Sequence, residues 1–322
     1  ASVDYYYRKT TDLLDWYDAQ VPSSIYNTIF TNVGTLTNQG VEVAPGWDAV
    51  RRENLTWHID GNFSYNANEL VSLSNDTYKA NHIPYNTLSS PANGQTTYIF
   101  EAGHPIGTFY GLKYRGFNTA GKWVFEDYDH NGSYTEDDFT YLGSGLPKWN
   151  FSLSSSLTWK NLDFSAQFAF QIGGKFLSVA DANHYYRSDQ TGYYHMSADL
   201  KGNTFTASNT GARYPMVILN NPNSNGYTGG STIGSWAYTD MALYSASYLN
   251  VKNLTLGYNF PQKWMDKIGI GGIRVYASFD NFWMLTTHKG IDPRMSLVGG
   301  MDVGAMAYPY MRTCSLGVNV TF

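Results

Sequence analysis

Between Asp127 and Asp138 the chain reads Asp-Tyr-Asp-His-Asn-Gly-Ser-Tyr-Thr-Glu-Asp-Asp. The pattern is D-x-[DN]-x-[DN]-G with an acid at the twelfth position, the spacing of a Ca²⁺-binding loop. Ca²⁺ is a hard ion that takes six to eight oxygens, and a glycine at the sixth position permits the sharp turn around it. Asp127, Asp129 and Asn131 would offer side-chain oxygens, Ser133 a carbonyl, and Thr135 an oxygen directly or through water. Asp138 stands where such loops carry a longer Glu, and Asp137 beside it is an alternative donor. No helix pair flanks the loop, so the expectation is a structural clamp on an external loop, weighed against an acidic glycine turn that binds nothing.

Other chemistry is sparse. Tyr185, Tyr186, Tyr193, Tyr194, Trp236 and Tyr238 lie in aperiodic loop sequence, where aromatic faces would stack on sugars or peptide side chains; the competing reading is that they pack the loop on itself. His184 and His195 near Asp181 have no recognised zinc spacing. No Ser/His/Asp set, phosphate-binding glycine loop or dinucleotide fingerprint appears, so no enzyme is expected. The net charge of −5 argues against nucleic acid, and the single cysteine, Cys314, excludes an internal disulfide framework.

The elements that must position these residues read as strands. From Trp149 to Gly173 the chain alternates by twos: Phe151, Leu153, Leu157 and Trp159 face one way, with Ser155 the polar intruder, and Asn150, Ser152, Ser154, Ser156 and Thr158 the other. After Lys160-Asn161 the alternation resumes, with Leu162, Phe164, Ala166, Phe168, Phe170 and Ile172 against Asp163, Ser165, Gln167 and Gln171. This is a hairpin with one apolar and one uncharged polar face. Each arm is long enough to cross a bilayer when tilted. Aromatics are 16% of the chain and charged residues only 15%, against about 25% charged in ordinary soluble domains. No apolar run is long enough for a membrane helix.

The same alternation recurs at Ser2–Leu14, Thr35–Trp47, Leu55–Ala67, Thr96–Glu101, Thr108–Phe117, Ser245–Phe260, Ile273–Thr286 and Arg312–Phe322, ten strands in all. A phase change near Lys252-Asn253 suggests a bulge. Asp15–Gly34, Ser74–Gln95, Asn118–Pro147, Gly174–Asp240 and His288–Pro309 read as loops. Long and short connections alternate, so the long loops gather at one end, as in a transmembrane antiparallel β-barrel. Backbone groups in hydrocarbon must pair internally, which requires the sheet to close. Asp60, Asn62, Asn66, Asp163, Gln167, Arg274 and Asp280 fall on the lumen side, where holding the wall and binding water is their expected role. The chain opens within a strand pattern and carries no signal peptide, which suggests a portion of a longer polypeptide.

Several stretches resemble the C-terminal barrel half of the SusC/RagA family of TonB-dependent outer-membrane transporters. They include Asp4-Tyr5-Tyr6-Tyr7-Arg8-Lys9-Thr10-Thr11-Asp12-Leu13-Leu14, Asn38-Gln39-Gly40-Val41-Glu42 and Gly103-His104-Pro105-Ile106-Gly107-Thr108-Phe109-Tyr110-Gly111. Tyr248 to Pro261, Gly290-Ile291-Asp292-Pro293 and the closing Gly317-Val318-Asn319-Val320-Thr321-Phe322 continue the series in family order. The resemblance implies that residues 1–322 supply about the last ten strands of a 22-stranded all-β barrel, without the plug, the TonB-contacting segment or the first strands. It also implies active import of oligosaccharides or peptides in the bacterial outer membrane, with a SusD-like lipoprotein over the mouth and energy from TonB; a dimer of transporter–lipoprotein pairs is compatible with it. Phe322, ending an alternating strand, resembles the signal read by the barrel-assembly machinery. A passive ten-stranded porin and a soluble glycan-binding β-sandwich are the alternatives left open.

Overall fold

The structure is a computed structural model, described for residues 1–18, 28–75, 82–85, 98–119, 121, 123–178, 197–214, 216, 239–288, 292–294 and 310–322. Its frame is one nine-stranded antiparallel sheet. The strands are β1 (Ser2–Asp18), β2 (Thr28–Ala44), β3 (Gly46–Arg52), β4 (Leu55–Ser72), β11 (Pro147–Trp159), β12 (Leu162–Gly173), β15 (Tyr248–Asn259), β16 (Gly272–Thr286) and β17 (Thr313–Thr321). The order is β1-β2-β4-β11-β12-β15-β16-β17. β3 carries β2 onward past Pro45, whose carbonyl accepts the Gly61 N–H at 2.9 Å, and stays paired with β4. Within this chain the sheet is open, with β1 and β17 at its two edges.

Register decides what each face holds, because a slip of one residue would turn every side chain over. Val3 lies opposite Val43, Val43 opposite Phe63, Phe63 opposite Phe151, Phe151 opposite Phe170 and Phe170 opposite Leu249. Nearer the short turns the row is Trp159, Leu162, Tyr258, Val275 and Val318. The other face runs Asp60, Ser154, Gln167, Asn253 and Asp280 at one level. At the next it runs His58, Ser156, Ser165, Thr255, Ser278 and Ser315.

The apolar face is uncovered. Val3 is 70% exposed, Leu256 52% and Leu316 85%. Water would not tolerate so long an apolar surface without aggregation or a partner; hydrocarbon requires it. Even the intruder Ser155 is accounted for, since its Oγ accepts the Trp57 indole N–H at 2.9 Å. Each supplies the hydrogen bond that the other could not obtain from lipid.

The polar face is braced by side chains. Arg274 grips Asp163 with two bonds, of 2.6 and 3.1 Å, while Asn259 donates to the same carboxylate. Asn253 bridges Ser278 and Asp280. Tyr276 lies over Gly317 so closely that a Cβ there would stand 2.3 Å from the ring, and Tyr6 crosses Gly40 to reach Asn66 at 2.8 Å. These glycines are needed because a ring lies flat across the neighbouring backbone. The anticipated bulge is present: Gln167 pairs with Asn253 and Phe168 with Val251, so Lys252 is the extra residue.

Several expectations require correction: Ser74–Gln95, Asn118–Pro147 and Gly174–Asp240, read as loops, hold short strands, and the turn after β15 holds a helix, Gln262–Ile268. Thr96–Glu101 and Thr108–Phe117 do not join the wall. Their strands β6 (Tyr98–Glu101) and β7 (Thr108–Gly111) lie with β5 (His82–Tyr85) and β10 (Thr140–Ser144) in a separate four-stranded sheet, so eight of the ten anticipated strands form the wall, with β3 as an extension. A strand of four residues is too short to cross hydrocarbon. The segment 15–34 is also not all loop, because β1 and β2 keep pairing beyond the alternating stretch, through Leu14 opposite Asn32 and on to Asp18 opposite Thr28. Sheet pairing can outrun side-chain alternation once a strand projects past the membrane. The three large insertions still gather at one end, but the β1–β2 connection, residues 19–27, is now shorter than the turn 260–271. Turns 53–54, 160–161 and 260–271 lie at one end, and the longer insertions at the other.

Candidate functional site

The packed core of the described residues sits in the insertions rather than behind the wall. Tyr98, Phe109, Leu112, Trp123, Phe125, Phe139 and Leu142 from the first long insertion close around Leu177, Leu200 and Tyr214 from the second. This loop unit also contains the hairpin of β8 (Tyr114–Phe117) and β9 (Trp123–Phe125), and that of β13 (Lys175–Leu177) and β14 (Leu243–Ser245). Polar bonds tie the two insertions together. Lys175 Nζ donates to the Leu142 carbonyl at 2.5 Å, and the Tyr114 N–H donates to Asp240 at 2.8 Å. Burial raises the Asp240 carboxyl above its ordinary value, against the lowering effect of that N–H.

The unit is fastened to the wall by the turn Gly103-His104-Pro105-Ile106-Gly107. The Gly103 N–H donates to the Leu70 carbonyl at 2.8 Å, the Leu70 N–H to His104 at 2.9 Å and the Ile106 N–H to Asn68 Oδ1 at 2.9 Å. Asn68 and Leu70 continue the lumen phase of β4, so the turn docks at the inner rim. His104 stacks on Tyr141 at 4.0 Å, and the Tyr141 hydroxyl donates to Glu101.

The acidic turn hangs from this core between β9 and β10. Its carboxylates converge: oxygens of Asp127, Asp129 and Asp138 all lie within 4.8 Å of one another. Asp138 is fully buried and accepts the Tyr128 and Thr135 N–H groups at 2.7 and 3.0 Å. Asp127 accepts the Gly132 N–H at 2.9 Å, and Asn131 accepts that of Ser133 at 2.7 Å. Asp129 holds Asn131 through both backbone and side chain. His130 and Gly132 take positive φ, of 57° and 78°, which closes the loop. Thr135 caps the single 3-10 turn Glu136–Asp138, and this turn aims Asp138, not the exposed Asp137, at the other acids.

One oxygen, Asp127 Oδ1, is buried without a hydrogen-bond partner. Burial pushes the Asp127 carboxyl up, but the Gly132 N–H, the Asp129 side chain and the His130 and Asn131 N–H groups together bring it below its ordinary value. The donors are hard oxygens and three carboxylates converge, so the set fits a hard divalent cation.

Tyr185, Tyr186, Tyr193, Tyr194, Trp236 and Tyr238 lie outside the described residues, as do Asp181, His184 and His195. Phe322 follows β17 and is 96% exposed. The sequence reading missed the Arg274–Asp163 grip as a pair, because 111 residues separate the two and only the register joins them. It also missed Arg294, which is held by Asp292 and Asn281 and lies 4.4 Å from the Tyr310 ring centre.

An antiparallel wall with one face for lipid, one for water, and a folded loop unit at a single end is a transmembrane β-barrel wall. No protein-family model matches the chain. Over its whole length it is 28% identical to TonB-dependent receptor P3 of Formosa agariphila. Over 99% of its length it is 27% identical to TonB-dependent receptor SusC of Bacteroides thetaiotaomicron. The chain spans about a third of these relatives, 32% and 30% of their lengths. It matches the RagAB peptide importer in its open-open state with a TM-score of 0.79 and 25% identity, over 99% of this chain and 32% of that one. The closed-closed state gives 0.77 and 26%. The fold is that of the TonB-dependent transporter barrel, and the SusC/RagA resemblance carried by the sequence motifs is borne out along the whole chain.

Proposed function

We propose that this chain is barrel wall and outer loops of an outer-membrane importer of nutrient oligomers, oligosaccharides or peptides, energised through TonB and working with a SusD-like lipoprotein. The observation that carries the reading is the register-aligned wall, apolar on one face across all its strands and hydrogen-bonded on the other. Similarity to SusC and to the RagAB peptide importer supports the substrate class and the lipoprotein partner. The loop unit at the inner rim is the surface on which plug, lipoprotein and substrate would meet. The loop aromatics Tyr185, Tyr186, Tyr193, Tyr194, Trp236 and Tyr238 are the proposed substrate contacts.

The acidic turn is proposed as a Ca²⁺ clamp formed by Asp127, Asp129, Asn131, Ser133, Thr135 and Asp138. It would stiffen the loop unit by neutralising three converging carboxylates. Calorimetric titration of the intact protein should show Ca²⁺ uptake that Asp127→Asn weakens at least about tenfold, the loss of one ligand charge. No uptake at millimolar Ca²⁺ removes the clamp.

The function is tested by deleting the gene and growing the strain on defined glycans and peptides. Loss of growth on one class, restored by the intact gene, is the expected result. Uptake that persists after collapse of the proton gradient would refute active import and favour a passive pore.

A further inference from the structure

At the short-turn end the wall carries a feature that import does not use. The connection from β15 to β16 holds the helix α1 (Gln262–Ile268), closed by Gly269 at φ 67°. It buries Met265 but exposes Trp264 at 55% and Ile268 at 58%. These two are four apart and share a face; Lys263 and Lys267, also four apart and exposed, form the neighbouring stripe. An apolar stripe beside a basic one is the pattern of a helix lying in a membrane interface. The third cation is Lys160. Its turn is tied to the start of this connection by two bonds between Asn161 and Asn259, of 2.8 and 2.7 Å.

Beside the helix the lipid face has a groove of about 510 Å³, lined by Leu162, Leu256, Tyr258, Val275, Ala277 and Val318 among others. Its floor is the small Ala277, paired between the exposed Leu256 and Leu316. Aromatic contacts link groove to helix: Tyr258 packs edge-on against Phe260 at 5.3 Å, and Phe260 against Trp264 at 6.3 Å.

The geometry points to a bound anionic phospholipid, one acyl chain in the groove over Ala277 and its phosphate among Lys160, Lys263 and Lys267. The site rests on the barrel reading, since the groove must face hydrocarbon. Charge complementarity selects an anionic over a zwitterionic headgroup, and the groove continues the apolar wall without a break.

The intact transporter would be placed in nanodiscs of equimolar phosphatidylglycerol and phosphatidylethanolamine, released, and read for retained lipid by native mass spectrometry. Heat-modifiable migration on gels reports barrel assembly in every sample. Wild type is expected to retain phosphatidylglycerol at least about fivefold over phosphatidylethanolamine, the effect of even one lysine near a lipid surface. The triple variant K160Q/K263Q/K267Q should lose the preference while still assembling. Ala277→Phe, which fills the groove, should reduce retained lipid of both kinds. An assembled wild-type barrel without preference, or a preference that survives neutralisation of the lysines, overturns the lipid site and leaves the barrel intact. Wild type that forms no heat-modifiable barrel overturns both.

Discussion

Arginine at Phe168 is the sharpest probe of which face meets lipid. Phe168 is seven residues from Asn161 in the β11–β12 turn. At ~3.3 Å per residue and a tilt of about 40°, it stands roughly 18 Å above that turn, within the middle of a band ~25 Å tall if the turn protrudes a few ångströms. Phe164, on the same face, stands only ~8 Å above it by the same geometry. A guanidinium at mid-bilayer costs about 2–4 kcal/mol and near an interface about 0–1 kcal/mol. Phe168→Arg should therefore destabilise the barrel by about 2–4 kcal/mol, and Phe164→Arg by distinctly less. Gln167→Arg supplies the control: it introduces the same group at the same height, opposite Ser154 and Asn253 on the polar face. It should fall within about 0.5 kcal/mol of wild type. Urea unfolding of the intact protein in phospholipid vesicles, followed by heat-modifiable migration, measures all three. Equal costs at Phe168 and Gln167, or a larger cost at Gln167, would refute the assignment of the faces and everything built on it.

Ser155→Ala removes the acceptor of the Trp57 indole and should cost about 1–2 kcal/mol, more than an exposed Ser→Ala change; the same unfolding assay reads it. Gly317→Ala pushes a methyl into the Tyr276 ring and should cost about 1–3 kcal/mol, with Tyr276→Ala relieving most of it in the double variant. Asp240 gives a pH dependence of defined sign. Its carboxyl is raised in the folded loop unit, so the folded state holds its proton more tightly than the unfolded one, and stability falls as pH rises from the ordinary carboxylate range through the raised value. Asp240→Asn keeps an acceptor for Tyr114 and should flatten that part of the pH–stability profile; an unchanged slope in thermal unfolding from pH 3 to 7 would count against a raised Asp240.

Long period-two sequences are legible because lipid and water impose opposite demands on alternate residues. The hairpin of β11 and β12, the bulge at Lys252 and the end-segregation of loops all follow from that contrast. The loop unit was opaque for the converse reason. Its strands are short, and those that are buried, β6, β7 and β9, pack on partners from a distant insertion, so neighbouring residues carry no lipid-versus-water pattern. β6 and β7 passed for wall strands because they alternate over a few residues, and alternation alone does not reveal which partner pairs with them. The acidic turn was legible as a spacing, since its converging carboxylates come from one contiguous stretch. What the spacing left open, Asp137 or Asp138, was decided by the 3-10 turn that rotates Asp138 inward. The Arg274–Asp163 grip belongs to neither category: both residues fell in the lumen phase, but their meeting depends on the registers of β12, β15 and β16 together.

The loop unit has a heredity of its own. Its buried centre is drawn from two insertions separated by a hairpin of the wall, with Leu177, Leu200 and Tyr214 of the second closing on the aromatic residues of the first. A recombination that exchanged one insertion and kept its counterpart would leave Trp123 and Phe125 facing a foreign Leu177 and Leu200. An exchange that carried both insertions together would keep that shared centre, with the hairpin between them as a constant spacer.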